Sequence, residues 1–341
     1  MIFMRYNEVV IVGGGPAGAH CAFELARQGI YAAVFDHSHP REKPCGGRIS
    51  PSAMEKFPFL EQFLSKGGIS TDFKIISCTN KQVVATGLKK GFNISRRYFD
   101  EEILNMATQN GAKLIEEKVI DIQRKQNFWK IKTNKRLLSA KILVGADGVN
   151  SLVRRKTIGV IPKEDLALTY GYFATGVEKE HTIVKFLDAI PSYIWIFPRD
   201  NHSSIGIGSE LKYGIMLKKL LDDFIRSYCP HIKIISRFAA MLPSAKNPEF
   251  FMLPCAGEDW ILVGDAAGHV DPITGEGILY ALWSGKLAAE VIKRNDLKSY
   301  DKLWREEYGN DLRARCKQKD TFYNPLTIEL SIILRSVHSA P

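Results

Sequence analysis

The first strong pattern along the chain is an unbroken apolar run, Val9-Val10-Ile11-Val12, short and rich in β-branched residues. It predicts a strand buried on both faces. Gly13-Gly14-Gly15-Pro16-Ala17-Gly18 follows at once. Apolar positions then recur at helical spacing from Ala19 to Gln28, up to Gly29, a residue suited to a helix C-cap. Ala32-Ala33-Val34-Phe35 predicts a second strand, ending in Asp36. Further on, Arg97–Asn110 reads as a helix and Lys113–Ile115 as a strand. Three alternating runs follow, Val119–Arg124, Phe128–Thr133 and Leu137–Ala140. Ile142-Leu143-Val144 is another buried strand, opening into the turn Gly145-Ala146-Asp147-Gly148.

From about Leu166 to Ala240 the pattern changes to period two with turn residues between, as in Ser192–Pro198 and Ser203–Ser209. That predicts an antiparallel sheet, interrupted by a helix over Gly214–Tyr228. Trp260–Val263 returns to buried-strand character, and Gly275–Lys293 reads as a helix. The predicted fold class is α/β. A Rossmann-like domain, discontinuous in sequence (1–75, 92–160 and 245–295), carries an inserted antiparallel β-sheet domain (76–91 and 161–244) and a C-terminal helical segment (296–341).

Composition narrows the classes. The chain has 341 residues, enough for two domains with sizeable cores. A net charge of +10 suggests an anionic partner, but no five basic residues are consecutive, so nucleic acid is not expected; a phosphorylated cofactor or an acidic lipid surface is. Six cysteines (Cys21, Cys45, Cys78, Cys229, Cys255 and Cys316) stand singly with no CxxC pair, and no His/Asp/Glu cluster has metal spacing. No metal is expected. The N-terminal stretch has one arginine before the glycine turn and does not read as a signal peptide, and no apolar run is long enough to span a bilayer. The expected location is the reducing cytoplasm, with transient contact at the inner membrane face.

The chemistry starts at the first turn. Gly13 allows the tight turn, Gly15 lets the backbone approach a pyrophosphate, and Gly18 lets helix and strand pack closely, with Pro16 and Ala17 opening the helix. The helix start offers free N–H groups and a partial positive charge to phosphates. Asp36, eighteen positions beyond Gly18, sits where a carboxylate accepts hydrogen bonds from an adenosine ribose. Dinucleotide binding follows. Asp265 ends a buried apolar strand, where a carboxylate needs hydrogen-bonding partners. Gly275 and Gly277 open a helix, with Ile278 following, and its N–H groups would stabilise negative charge on a bound group. Tyr193 and Trp195 share one face of a strand.

Two further fingerprints complete a resemblance. Gly145-Ala146-Asp147-Gly148 with Ser151 and Arg154-Arg155 is one; Gly264-Asp265-Ala266-Ala267-Gly268 followed by Pro272, Gly275, Glu276 and Gly277 is the other. The chain resembles the FAD enzymes of the p-hydroxybenzoate-hydroxylase fold, and within them the geranylgeranyl reductases, over about residues 7–295. Lys43-Pro44-Cys45-Gly46-Gly47 matches the Pro-Cys-Gly-Gly element these enzymes place near the flavin. Tyr193-Ile194-Trp195-Ile196-Phe197-Pro198 matches their Tyr-x-Trp-x-Phe-Pro strand, which lines a lipid cavity. Arg96 aligns with the arginine of Arg-x-x-Phe-Asp, which contacts FAD, and Val119 with a backbone position holding the adenine. Asp147 either touches the pyrophosphate region or stabilises its turn.

The resemblance implies an FAD-dependent reductase that delivers hydride to the C=C bonds of a geranylgeranyl or polyprenyl lipid. Cys45, Tyr193 and Trp195 are the expected catalytic residues, and Tyr193, Trp195 and Phe197 the substrate contacts. Cys45, Gly46 and Gly47 join Gly264 and the residues above around the cofactor. The alternative is a flavin monooxygenase or halogenase of the same fold acting on an apolar or aromatic substrate. With one dinucleotide turn in the chain, electrons come from NAD(P)H bound transiently or from a small redox protein.

Overall fold

The computed structural model describes residues 5–70, 72–85 and 91–338. These form two compact units. The first takes in the chain up to Arg41, then Arg97–Asp165 and Pro243–Cys316; the second takes in Glu42–Arg96, Leu166–Leu242 and the chain from Lys317.

The first unit is built on a sheet in the order Lys113–Ile115, Ala32–Phe35, Arg5–Val12, Leu137–Gly145, Trp129–Thr133, Val119–Arg124. Val9, Val10 and Ile11 are fully buried in its centre, as their unbroken apolar run requires. The expected strands Leu137–Ala140 and Ile142–Val144 are one strand, Leu137–Gly145. One edge pairs parallel with Arg5–Val12 throughout; along the other, its first half pairs antiparallel with Trp129–Thr133 and its second half parallel with Trp260–Leu262, so that edge serves two partners. The helices Pro16–Arg27 and Ile278–Lys293 pack so tightly that a Cβ on Gly285 would lie 2.4 Å from Ala17 O.

The second unit holds a seven-stranded sheet in the order Lys233–Pro243, Leu166–Thr175, Ser203–Glu210, Tyr193–Pro198, Thr182–Phe186, Phe73–Ile76, Gln82–Ala85. All its ladders with a described register are antiparallel except Thr182–Phe186 with Phe73–Ile76. One face is aliphatic, with Ile194, Ile196, Ile205 and Ile207 fully buried. The amphipathic helix Gly214–Tyr228 covers it with Leu217, Leu221 and Ile225. Each such side chain contributes roughly 2 kcal/mol. The other face is aromatic.

These units differ from the boundaries expected from sequence. Residues 42–75 belong with the sheet unit because Phe73–Ile76 joins the large sheet, while Arg48–Ile49, Gly68–Ser70 and Gly91–Asn93 make a small sheet of their own. The segment 296–341 is not a separate body. Its first part, through Tyr300–Trp304 and the π-turn Arg305–Gly309, clusters with the first unit. The helix Pro325–His338 clusters with the second, where Ile328 and Ile332 pack on Val83.

Candidate functional site

In the first unit the glycine turn is shaped as the sequence requires. Gly13 has φ +102°, and a Cβ there would lie 2.3 Å from Ala146 O; one on Gly18 would lie 2.0 Å from Gly13 O. Gly15 is different. Its φ is −68°, a value any residue adopts, and a Cβ would meet nothing within 4 Å. Neither backbone conformation nor protein neighbours demand glycine here. The helix it opens has no side-chain cap, and Pro16 contributes no N–H. An open space before uncapped amides fits a phosphate.

Asp36 lies beside this turn. Its Oδ2 accepts the Gly14 amide at 2.7 Å, and its Oδ1 accepts the Ser38 amide at 2.7 Å and the Ser38 hydroxyl at 2.6 Å. Burial pushes its carboxyl up. The His39 ring 3.5 Å away and the bonds from Ser38 and Gly14 outweigh this and hold it well below the usual range. His39 Nε2 faces the Asp36 carboxylate, and its buried Nδ1 has no hydrogen-bond partner among the described residues, so polar capacity remains beside the carboxylate. Sequence reading passed over His39 in this role because one histidine without a partner in the pattern carries no signal.

The second fingerprint is also in this unit. Asp147 accepts Ser151 Oγ at 2.5 Å and the amides of Leu152 and Val153 at 2.6 and 3.3 Å, so its carboxylate is occupied in capping the short helix Leu152–Thr157. Burial still raises its pKa. Gly264–Ala266 is a 3-10 turn, and a Cβ on Gly264 would lie 2.9 Å from Ala17 Cβ, which brings the loop onto the start of the first helix. Gly277 is packed near Asp265, 3.4 Å from its Oδ1 to a Cβ built there. The helix expected from Gly275 begins at Ile278, because Gly275 has φ +70° and Gly277 is the N-cap. It too lacks a side-chain cap. Val119 is not drawn into this group by any hydrogen bond among the described residues; it starts an edge strand and pairs with Thr133.

In the second unit, Tyr193, Trp195 and Phe197 do share a face. Ring centroids are 6.2 Å apart for Tyr193–Trp195 and 6.3 Å for Trp195–Phe197, and Phe173 and Phe238 join the cluster. Trp195 pairs across the sheet with Gly206, where a Cβ would lie 2.2 Å from the indole. The glycine leaves room for the ring against the sheet.

The Cys45 loop is fastened to this strand. Arg199 Nη2 donates to Cys45 O at 2.7 Å, and Ser204 Oγ donates to the same carbonyl at 2.9 Å while accepting Trp195 Nε1 at 3.1 Å. A Cβ on Gly46 would lie 2.8 Å from the Phe197 ring, so the loop lies directly on it. Arg199 is 1% exposed and donates through Nη1 to Glu42 Oε1 at 2.7 Å and to His202 Nε2 at 3.1 Å. Glu42 also accepts the Ser95 hydroxyl and the amide of buried Arg96. Burial raises the Glu42 carboxyl, but the Arg199 charge and these bonds bring it below its usual value. Burial and Arg199 both lower His202. The Gly47 amide donates to Cys45 Sγ at 3.3 Å. Glu42, Arg199 and Ser204 were invisible in the sequence, since their partners are more than a hundred positions away or lack a motif.

The glycine turn, its acid and the Gly264–Gly277 loop define a dinucleotide-binding flavoprotein unit. The chain belongs to the FAD binding domain family, which it matches over residues 6–213, and it is an FAD-dependent oxidoreductase. Among its relatives is a geranylgeranyl diphosphate reductase of Rhodobacter capsulatus, 29% identical over 94% of this chain and 85% of its own. A digeranylgeranylglycerophospholipid reductase of Methanococcoides burtonii is 26% identical over 97% and 87%. In fold the chain is similar to a geranylgeranyl bacteriochlorophyll reductase-like protein of Thermoplasma acidophilum, with TM-score 0.86 and 23% identity over 96% of this chain and 91% of that one. A flavin-dependent brominase shares the fold at TM-score 0.71 and 18% identity over 94% and 93%, so the fold alone leaves the reaction open.

Proposed function

We propose that this protein reduces C=C bonds of a geranylgeranyl or other polyprenyl lipid. The observation that carries the reading is the Cys45 loop held on the Tyr193–Trp195–Phe197 face through Arg199 and Ser204. It is supported by relatives named for geranylgeranyl substrates.

FAD, when bound, supplies a hydride to the alkene. The glycine turn and Asp36 would hold its pyrophosphate and adenosine ribose, and Asp265, Gly275 and Gly277 its ribityl and ring portion. An isolated alkene is unactivated, so its surroundings must exclude water and fix the chain. A row of aromatic side chains on one face does both for methyl-branched apolar units. The second carbon needs a proton. Cys45 is the proposed source, because the Gly47 amide at its sulfur would support the charge left behind. Electrons enter from transiently bound NAD(P)H or a small redox protein.

The test is anaerobic single turnover. Chemically reduced protein mixed with a polyprenyl lipid should reoxidise without oxygen, giving a product heavier by two hydrogens, one taken from solvent. Reoxidation only in oxygen, with a product heavier by one oxygen atom, would refute the reading in favour of a monooxygenase.

A further inference from the structure

The second unit has a surface that this chemistry leaves unused. Ile215, at the start of the helix Gly214–Tyr228, is 93% exposed, and Met216 beside it is exposed as well. The edge strand Lys233–Pro243 adds Ile235, 58% exposed, and Met241. Helix start and strand end are neighbours. A Cβ on Gly214 would lie 3.1 Å from Leu168, and the adjacent Thr169 donates its hydroxyl to Ala240 O at 2.9 Å. Phe238 turns to the aromatic face, so Ile235, Arg237 and Met241 turn to the side the helix covers.

The charge of this surface is one-sided. Its acids are each taken locally: Glu210 by Lys212 at 2.9 Å, Asp222 by Lys218, and Asp223 by Arg226 at 3.0 Å. Among the described residues, Lys219, Lys233 and Arg237 have no acidic partner. Exposed aliphatic side chains ringed by lysine and arginine match the requirements of an interface between anionic headgroups and acyl chains. They match a second copy of this chain poorly. Edge-to-edge antiparallel pairing about a two-fold axis at Ile235 would set Lys233 opposite the second copy's Arg237, like charge against like.

We propose that the start of the helix Gly214–Tyr228 and the edge strand Lys233–Pro243 dock on an anionic bilayer surface. The purpose, reaching a prenyl lipid where it resides, rests on the function proposed above. Ile215 and Met216 would enter the headgroup boundary, and Lys219 and Arg237 would meet lipid phosphates.

The flavoprotein should cosediment with vesicles of phosphatidylglycerol and phosphatidylcholine, far less with phosphatidylcholine alone, and lose binding as salt rises. Lys219→Gln and Arg237→Gln should each weaken binding about fivefold, and Ile215→Ser about tenfold. All three variants should keep the parent's bound-flavin spectrum. Equal binding to neutral vesicles, no binding to either, or unaltered binding by the variants would overturn the proposal. So would a concentration-dependent dimer that Ile215→Ser or Arg237→Gln dissolves. Reduction of a detergent-dispersed polyprenyl lipid separates the two claims. If it proceeds while vesicle binding is absent, the docking surface fails alone; if it is absent while vesicles bind, the reductase reading fails alone.

Discussion

Replacing Arg199 by Met tests whether the Cys45 loop is held by a buried charge. The substitution keeps much of the stem's packing and removes three interactions, to Glu42 at 2.7 Å, Cys45 O at 2.7 Å and His202 at 3.1 Å. Breaking a buried pair costs about 3–5 kcal/mol when the surviving charge is stranded. Here both main acceptors keep other donors: Glu42 retains Ser95 and the Arg96 amide, and the Cys45 carbonyl retains Ser204. The cost should therefore fall near the low end, about 3 kcal/mol. A cycle with Glu42→Gln, followed by urea denaturation under conditions where unfolding of the second unit is resolved, should give a coupling of at least about 1 kcal/mol. Alkylation of Cys45 should accelerate in Arg199→Met as its loop loosens. Additive effects of the two substitutions, within about 0.5 kcal/mol, together with unchanged thiol reactivity, would refute the clamp.

Three other outcomes are expected. Gly15→Ala should leave apoprotein stability within about 0.5 kcal/mol yet weaken FAD binding about tenfold or more, whereas Gly13→Ala should unfold or badly destabilise the protein; equilibrium dialysis and thermal unfolding separate these. Cys45→Ala should keep fold and flavin but slow lipid reduction or alter how many double bonds react, seen by product mass analysis. Buried His20 and His269 are pushed down to about 4 and about 3, chiefly by burial, so the folded state refuses protons that the unfolded chain takes near 6.5. Stability is full above pH 6.5 and falls on acidification towards those values, by about 1.4 kcal/mol per pH unit for each histidine. His269→Gln should flatten the slope of melting temperature against pH between 6.5 and 5.

The nucleotide half of the chain was legible because its signals are local. Val9–Val12, the glycine turn and Asp36 lie within one strand–helix–strand stretch, and each residue type answers a steric or electrostatic need of its neighbours. What the sequence concealed there was continuity. Lys141 is exposed within Leu137–Gly145, so an unbroken strand reads as two. The small sheet was hidden for a different reason. Arg48–Ile49, Gly68–Ser70 and Gly91–Asn93 are two or three residues long, too short for any period to register.

The aromatic strand shows where pattern stops and packing begins. Tyr193–Pro198 alternates aromatic and isoleucine side chains, so both faces read as apolar and the sequence does not rank them. In the fold the ranking comes from residues elsewhere. The isoleucine face is closed by a helix whose leucines are spaced to meet it. The aromatic face is set by a missing side chain, Gly206, which lets the indole of Trp195 lie against the sheet, and by a loop whose Gly46 is small enough to rest on Phe197. The hydrogen bonds that fix that loop end on Arg199, 154 positions from Cys45. Gly206 and Arg199 thus determine how the aromatic face is presented, and only their cross-strand and long-range partners assign them that role.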